Sequence, residues 1–180
     1  MRDAGNAKTL NGFVAAEMTR TIFGAMLVIA ALLQAAILPR WQFLAVTPGL
    51  VVVLILAWSS YRGVGEALAW VAAAGFLLDI LSLDRLGVNA LALLPVALLS
   101  GLTRGRFFQS ALVFPMLLAI LATFAYVGTL LGLRELLGEG GTASQMFGRV
   151  TLLQALLNAL LVPPIFGVIG LLQRMEPERT

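Results

Sequence analysis

Six stretches of this chain are apolar without the two-residue alternation of a half-buried strand: Thr21–Leu38, Trp41–Trp58, Ala67–Leu83, Val88–Leu102, Ala111–Leu133 and Val150–Leu172. In hydrocarbon a backbone N–H or C=O has no water to bond. A segment that crosses a bilayer therefore satisfies its polar groups as a helix or as part of a closed barrel. Barrel strands alternate apolar and polar residues. These runs are continuous and rich in Leu, Ala and Val, so they read as helices. A straight span takes about 20 residues, with about 17 as the lower limit. The first, fifth and sixth runs meet that easily. The second, third and fourth are short or interrupted and are expected in a compact bundle whose neighbours cover their ends. The expected fold class is all-α: a polytopic membrane protein with six transmembrane helices.

Composition excludes the soluble alternatives. The apolar set makes up 60% of the 180 residues and charged residues 12%, against about half and about a quarter in an ordinary soluble domain. A water-soluble globule of this size has too little interior to bury such a surface. A soluble enzyme, a nucleic-acid module and a disordered tail are set aside on that ground. The chain has no Cys and no His, which removes the thiolate nucleophile and the commonest general base and metal ligand. No two carboxylates share a run, and no glycine-rich phosphate loop joins a strand to a helix. No catalytic, cofactor-binding or metal-ligating residue is nominated, and no cofactor is expected.

The polar ends and links organise the rest. Residues 1–20 are a polar N-terminal segment, expected to be irregular and to end in a surface helix. The run that follows it is longer than the roughly 7–15 apolar residues of a signal peptide, so it reads as a permanent first helix. Residues 21–172 form the membrane domain and 173–180 a short charged tail. The longest link, Arg134–Arg149, carries Gly138, Gly140 and Gly141. Thr47-Pro48 has the form of an N-cap followed by proline at the first helical position. With the N-terminus in the cytoplasm, that side holds Arg2, Lys8, Arg20, Arg62, Arg104, Arg106, Arg174 and Arg179, and the other holds Arg40, Arg85, Arg134 and Arg149. The excess of positive residues places both termini in the cytoplasm. Trp58, Tyr61, Phe107 and Phe108 then fall near the inner interface and Trp41 near the outer one.

A few polar side chains lie inside the runs. Asp79 is the one acid well within a run, and intramembrane acids face the bundle and mark function. Ala72, Gly75, Asp79 and Ser82 follow helical spacing, and the small residues allow another helix to come close. Helix four carries Asn89, Ala92 and Ser100 on a comparable stripe, helix six carries Thr151, Gln154 and Asn158, and helix one carries Gln34. Under the charge-derived orientation, Gln34, Asp79, Ser82, Asn89, Gln154 and Asn158 all fall in the outer half of the membrane. Two readings stand side by side. One is a satisfied hydrogen-bond network in which Asp79 caps the connection between helices three and four. The other is a ligand pocket or proton relay. Ala31 and Ala35 in helix one, and Gly128 and Gly132 in helix five, are small-xxx-small pairs suited to internal packing or to docking a partner's helix. Pro163-Pro164 is expected to break or kink helix six, and Pro95 to bend helix four.

The stretch Gly75-Phe-Leu-Leu-Asp79-Ile-Leu-Ser82-Leu-Asp-Arg-Leu86-Gly87-Val-Asn89-Ala-Leu91-Ala-Leu resembles the central signature of the MreD family of rod shape-determining membrane proteins. So does Thr47-Pro48-Gly-Leu, followed by an apolar run and Tyr61-Arg62-Gly63. Gln154-Ala-Leu-Leu-Asn158-Ala-Leu-Leu-Val-Pro163-Pro164 resembles that family's last helix. The likeness covers roughly residues 44–105 and 150–172. It departs at Gly49, where family members often carry an acid or amide, and at Pro95, where a plain apolar residue is usual. The resemblance implies a non-enzymatic subunit of the bacterial elongation machinery in the inner membrane. That subunit works beside the bitopic protein MreC and, through it, with the class B penicillin-binding transpeptidase, RodA and MreB, in contact with membrane lipid and with no nucleic acid. It also implies a bundle like the S components of energy-coupling factor vitamin transporters. The alternative function is therefore such an S component, capturing a small vitamin.

Overall fold

Residues 51–59 of one short helix are buried without interruption, and a helix that is apolar all round belongs at the centre of a bundle. The computed structural model describes residues 2–38, 46–101, 113–138 and 147–174. Within them lie α1 (Arg2–Leu32), a π-helical turn (Leu33–Ile37), α2 (Leu50–Arg62), α3 (Val64–Ser82), α4 (Val88–Ser100), α5 (Val113–Leu136) and α6 (Phe147–Arg174). The central helix is α2, which packs against each of the other five. Around it, α3 lies on α4, α4 on α5 and α5 on α6, while α1 packs on α3 and α2. This is the all-α, six-helix membrane bundle that the apolar runs predict.

Four segments are long and apolar enough to cross a membrane: Phe13–Ile37, Val64–Ser82, Val113–Leu136 and Gly148–Arg174. The other two helices, α2 and α4, have 13 residues each. At 1.5 Å per residue that is about 20 Å, against a hydrocarbon layer of about 30 Å. Both short helices therefore begin or end inside the bundle, where protein must supply their missing hydrogen-bond partners. Outward-facing leucines and isoleucines such as Ile80, Leu98, Leu117 and Leu160 are exposed. In a membrane these face lipid rather than water.

Several expectations are corrected. Helix α1 begins at Arg2, so residues 2–20 of the polar segment are helical and continuous with the first apolar run. No proline interrupts it, and a helix once nucleated adds residues readily. Thr47 is not the cap of α2: the helix begins at Leu50, the capping position is Gly49, and no side chain of that residue closes it. Nor do Pro163 and Pro164 break α6, which runs through both. Each proline removes one amide donor, and in membrane helices packed neighbours and local adjustment compensate for that loss. Trp41, Phe107, Phe108, Gly140 and Gly141 lie outside the described residues.

One end of the bundle is built on aromatic rings. Phe23 of α1 stacks on Trp58 of α2 at 4.0 Å between centroids and 17° between planes. Trp70 of α3 stands edge-on to both, at 5.2 Å and 6.4 Å. The Arg62 guanidinium lies 5.3 Å from the Trp58 ring centroid. Arg20 donates to Glu66 at 3.0 Å and to Glu17 at 2.9 Å, fixing the middle of α1 to the start of α3. Ser100 of α4 donates to Ser59 of α2. The indole N–H of Trp58 is buried with no acceptor among the described residues. An unmet buried donor costs about 1–3 kcal/mol. Trp58→Phe keeps the stack on Phe23 and removes that donor, so it is expected to melt in detergent at or above the wild-type temperature. Trp58→Ala, which empties the centre of the cluster, is expected to melt well below it.

Candidate functional site

The opposite end of the bundle is polar, and it is assembled around the first turns of α4 and α2. The first amides of any helix have no partner within it. At α4 they are supplied from α3. Chain reversal is sharp: Leu83 adopts the left-handed conformation (φ 56°), Asp84 N–H bonds back to the Asp79 carbonyl at 3.0 Å, and Gly87 sits at φ 96°. A side chain at Gly87 would strain that backbone. The reversal brings the start of α4 onto Asp79, which is fully buried. Asp79 Oδ2 accepts the Gly87 N–H at 2.6 Å, and Oδ1 accepts both the backbone and the side-chain N–H of Asn89 at 2.9 Å. A carboxylate at a helix N-terminus meets free donors and the positive end of the helix dipole together.

The network continues outward from Asn89. Its Oδ1 accepts the Tyr126 hydroxyl of α5 at 2.6 Å, and its Nδ2 also donates to Asp84 at 3.2 Å. Arg134, at the end of α5, donates to both oxygens of Asp84 at 2.8 Å. The turn between α3 and α4 is thus tied to α5 at two depths. Underneath, Gly75 lies so close to Ala90 that a Cβ there would fall 2.1 Å from the Ala90 Cα. Only glycine permits this approach of α3 to α4, and Asp79 is one helical turn beyond it.

The start of α2 is served from two other helices. Asn158 of α6 accepts the Gly49 N–H at 2.7 Å, and its Nδ2 donates to Thr123 of α5 at 2.9 Å. Gln34, in the π-helical turn, accepts the Val51 N–H at 3.2 Å. Thr123 in turn donates to the Ala119 carbonyl of its own helix at 2.7 Å. Thr123 and Tyr126 are neighbours on one face of α5, so that helix joins the α2 cap to the α4 cap. Helices α2 to α6 and the π-helical turn after α1 each contribute a group to this polar end. Asn158→Leu leaves the Gly49 amide buried and unpaired and is expected to cost about 1–3 kcal/mol, read as a lower melting temperature in detergent.

Asp79, Asn89, Asn158 and Gln34 are thus brought together. Gln154 is half-buried beside Gly49, its Nε2 3.5 Å from where a Cβ of that glycine would be. The same Cβ would lie 3.0 Å from Asn158 Nδ2, so an acid or amide at position 49 would crowd the cap. Ser82 does not join the group. It is exposed at the last residue of α3, past the reach of the helix packed on that stripe, and Ala72 is exposed as well. The buried face of α3 is instead Ala67, Val71, Ala74, Gly75, Leu78 and Asp79. Ala31 is buried and Ala35 half-buried. Gly128 and Gly132 are exposed on α5, a Cβ at Gly132 would meet open space among the described residues, and Pro164 is exposed with Pro163 half-buried. Sequence reasoning missed Thr123, Tyr126, Asp84 and Arg134. The three-residue spacing of Thr123 and Tyr126, in a run whose only other polar side chain before Arg134 is Thr129, was the available signal.

Chemically, the acid at this end is committed to hydrogen bonds within the chain. The Asp79 oxygens are occupied by three donors from within the chain. Among the described residues, no group of three or more His, Cys, Asp or Glu could hold a metal ion. Compared with known families, residues 17–173 match the family model described as rod shape-determining protein MreD. Searches of curated proteins and of solved structures return no match.

Proposed function

Because the chain belongs to the MreD family of rod shape-determining proteins, we propose that it acts in shape determination as a non-enzymatic scaffold that binds MreC. Through MreC it supports peptidoglycan synthesis with the class B penicillin-binding transpeptidase, RodA and MreB. The reading places the chain in the bacterial inner membrane with both termini cytoplasmic, so that residues 1–20 and 173–180 face the cytoplasm and the polar end faces outward. The observation that carries it is the family match over nearly the whole chain. It is supported by a polar end whose acid is already satisfied from within, which leaves shape and apolar faces for partners.

In this reading Asp79, Asn89, Asn158, Gln34 and Gln154 brace the bundle, and Ala31, Ala35 and Gly75 bring its helices close. Gly128 and Gly132 offer a smooth strip on α5 to a single-pass partner helix, and Pro163 and Pro164 shape the neighbouring face of α6. The tagged full-length chain, extracted from its native membrane, is expected to retain MreC. Native mass spectrometry that instead finds a tightly held vitamin and no MreC would favour the S-component alternative. Gly128→Leu combined with Gly132→Leu is expected to abolish MreC retention while leaving the melting temperature within about 2 °C of wild type, as surface changes do. Retention unchanged by the pair would move the docking face elsewhere.

A further inference from the structure

The two short helices are capped in the same register. Each has glycine at the capping position, Gly49 and Gly87, and in each the amide two residues on, Val51 or Asn89, bonds to a side chain of the preceding long helix. The strength of the two attachments differs. Asp79 makes three bonds, closes the tight turn 83–87 and sits above the glycine contact at Ala90. Gln34 makes a single bond of 3.2 Å to α2. It lies in a π-helical turn, Leu33–Ile37, in which no residue is buried. Below that turn α1 is firmly seated: Ala31, Leu27 and Phe23 are buried, Phe23 stacks on Trp58, and Arg20 pairs with Glu66. A π turn is a local break in helical register and is found frequently at functional sites.

We infer that the polar end of α1 is a hinged arm. It pivots at the π turn above Ala31, and Gln34 latches it shut by taking the Val51 amide. The α3–α4 pair, with the same cap built on a carboxylate, is the fixed counterpart. Opening moves residues 33–38 away from α3, on which the π turn packs, and from α2, uncovers the first turn of the central helix beside Gln154, and leaves the aromatic end in place.

The chain has no native cysteine, so paired spin labels test this directly in the full-length protein in nanodiscs. One pair, Ile37→Cys with Leu153→Cys, spans the polar end, and another, Met18→Cys with Leu171→Cys, spans the aromatic end; all four positions are exposed. The expected result is a narrow distance at the aromatic end and a two-component distribution at the polar end. In Gln34→Leu the ratio of open to closed is expected to rise about fivefold, the shift that losing one ordinary hydrogen bond produces. Gln34→Glu keeps an acceptor for Val51 and is expected to stay closed. A polar-end distance as narrow as the aromatic-end one in wild type would overturn the hinge, and so would a distribution that Gln34→Leu leaves unmoved. Should Gln34→Leu not fold, hydrogen exchange in the wild-type chain decides. Faster exchange at Val51 than at Asn89 supports the latch, and equal protection refutes it.

Discussion

Gly75→Ala is expected to destabilise the bundle more than any other single-methyl change in it. The added carbon would lie 2.1 Å from the Ala90 Cα, 2.3 Å from its N and 2.5 Å from its Cβ. Two of these are backbone atoms with no rotamer to turn away, so α3 and α4 must separate. Asp79 is the next residue up on the same face of α3, and its partner Asn89 adjoins Ala90, so the separation also pulls the α4 cap apart. Overpacking alone costs about 1–3 kcal/mol, and losing the cap adds to it. The melting temperature in detergent is expected to fall steeply, with poor accumulation in the membrane. Gly132→Ala is the control, because a Cβ there meets open space; it is expected to melt as wild type does. A Gly75→Ala protein that melts with wild type would mean that the two helices are not in contact at this point.

The second large effect is at Asp79. Alanine there removes the acceptor of the Gly87 and Asn89 backbone amides and leaves the Asn89 side-chain amide only its bond to Asp84. At about 1–3 kcal/mol for each unmet donor, a loss of about 3–5 kcal/mol is expected, of the size found when a buried charged partner is removed. Asp79→Asn separates geometry from charge. Its one oxygen still accepts from Asn89, but its amide nitrogen meets the Gly87 N–H donor to donor. The expected order of melting temperatures is wild type, then Asn, then Ala. Gly75→Ala combined with Asp79→Ala should cost less than the sum of the two, since both act on one contact. Wild-type melting with lost partner retention in Asp79→Ala would make the residue part of an interface rather than a brace.

The fold was legible because lipid imposes a simple rule. Continuous apolar runs bounded by polar residues or proline become helices, and six such runs became six helices. Much of the polar end was legible for the same reason: Asp79, Asn89 and Asn158 are costly in an apolar run unless each meets a partner. The hydroxyls escaped notice because a Thr or Tyr in a membrane helix can bond its own backbone or reach an interface, so Thr123 and Tyr126 carry little signal alone. Asp84 and Arg134 read as loop charges until the fold placed them together. Ser82 followed the right stripe, but the stripe outran the helix packed upon it. The prolines of α6 misled because a rule learned in water overstates their effect where neighbouring helices hold the chain. The aromatic end, with Phe23, Trp58 and Trp70 drawn from three helices, shows no local pattern in any of them.

The outward direction of the polar end is the claim on which the scaffold reading turns. It is tested by single cysteines in the otherwise cysteine-free chain, probed in intact spheroplasts with a membrane-impermeant thiol reagent. Leu83→Cys marks the polar end and Tyr61→Cys the aromatic end; both positions are exposed, at 93% and 46%. Labelling at position 83 in sealed spheroplasts, with position 61 reacting only after lysis, is the expected result. The reverse pattern would put the capped ends of α2 and α4 in the cytoplasm and contradict the scaffold's outward-facing brace.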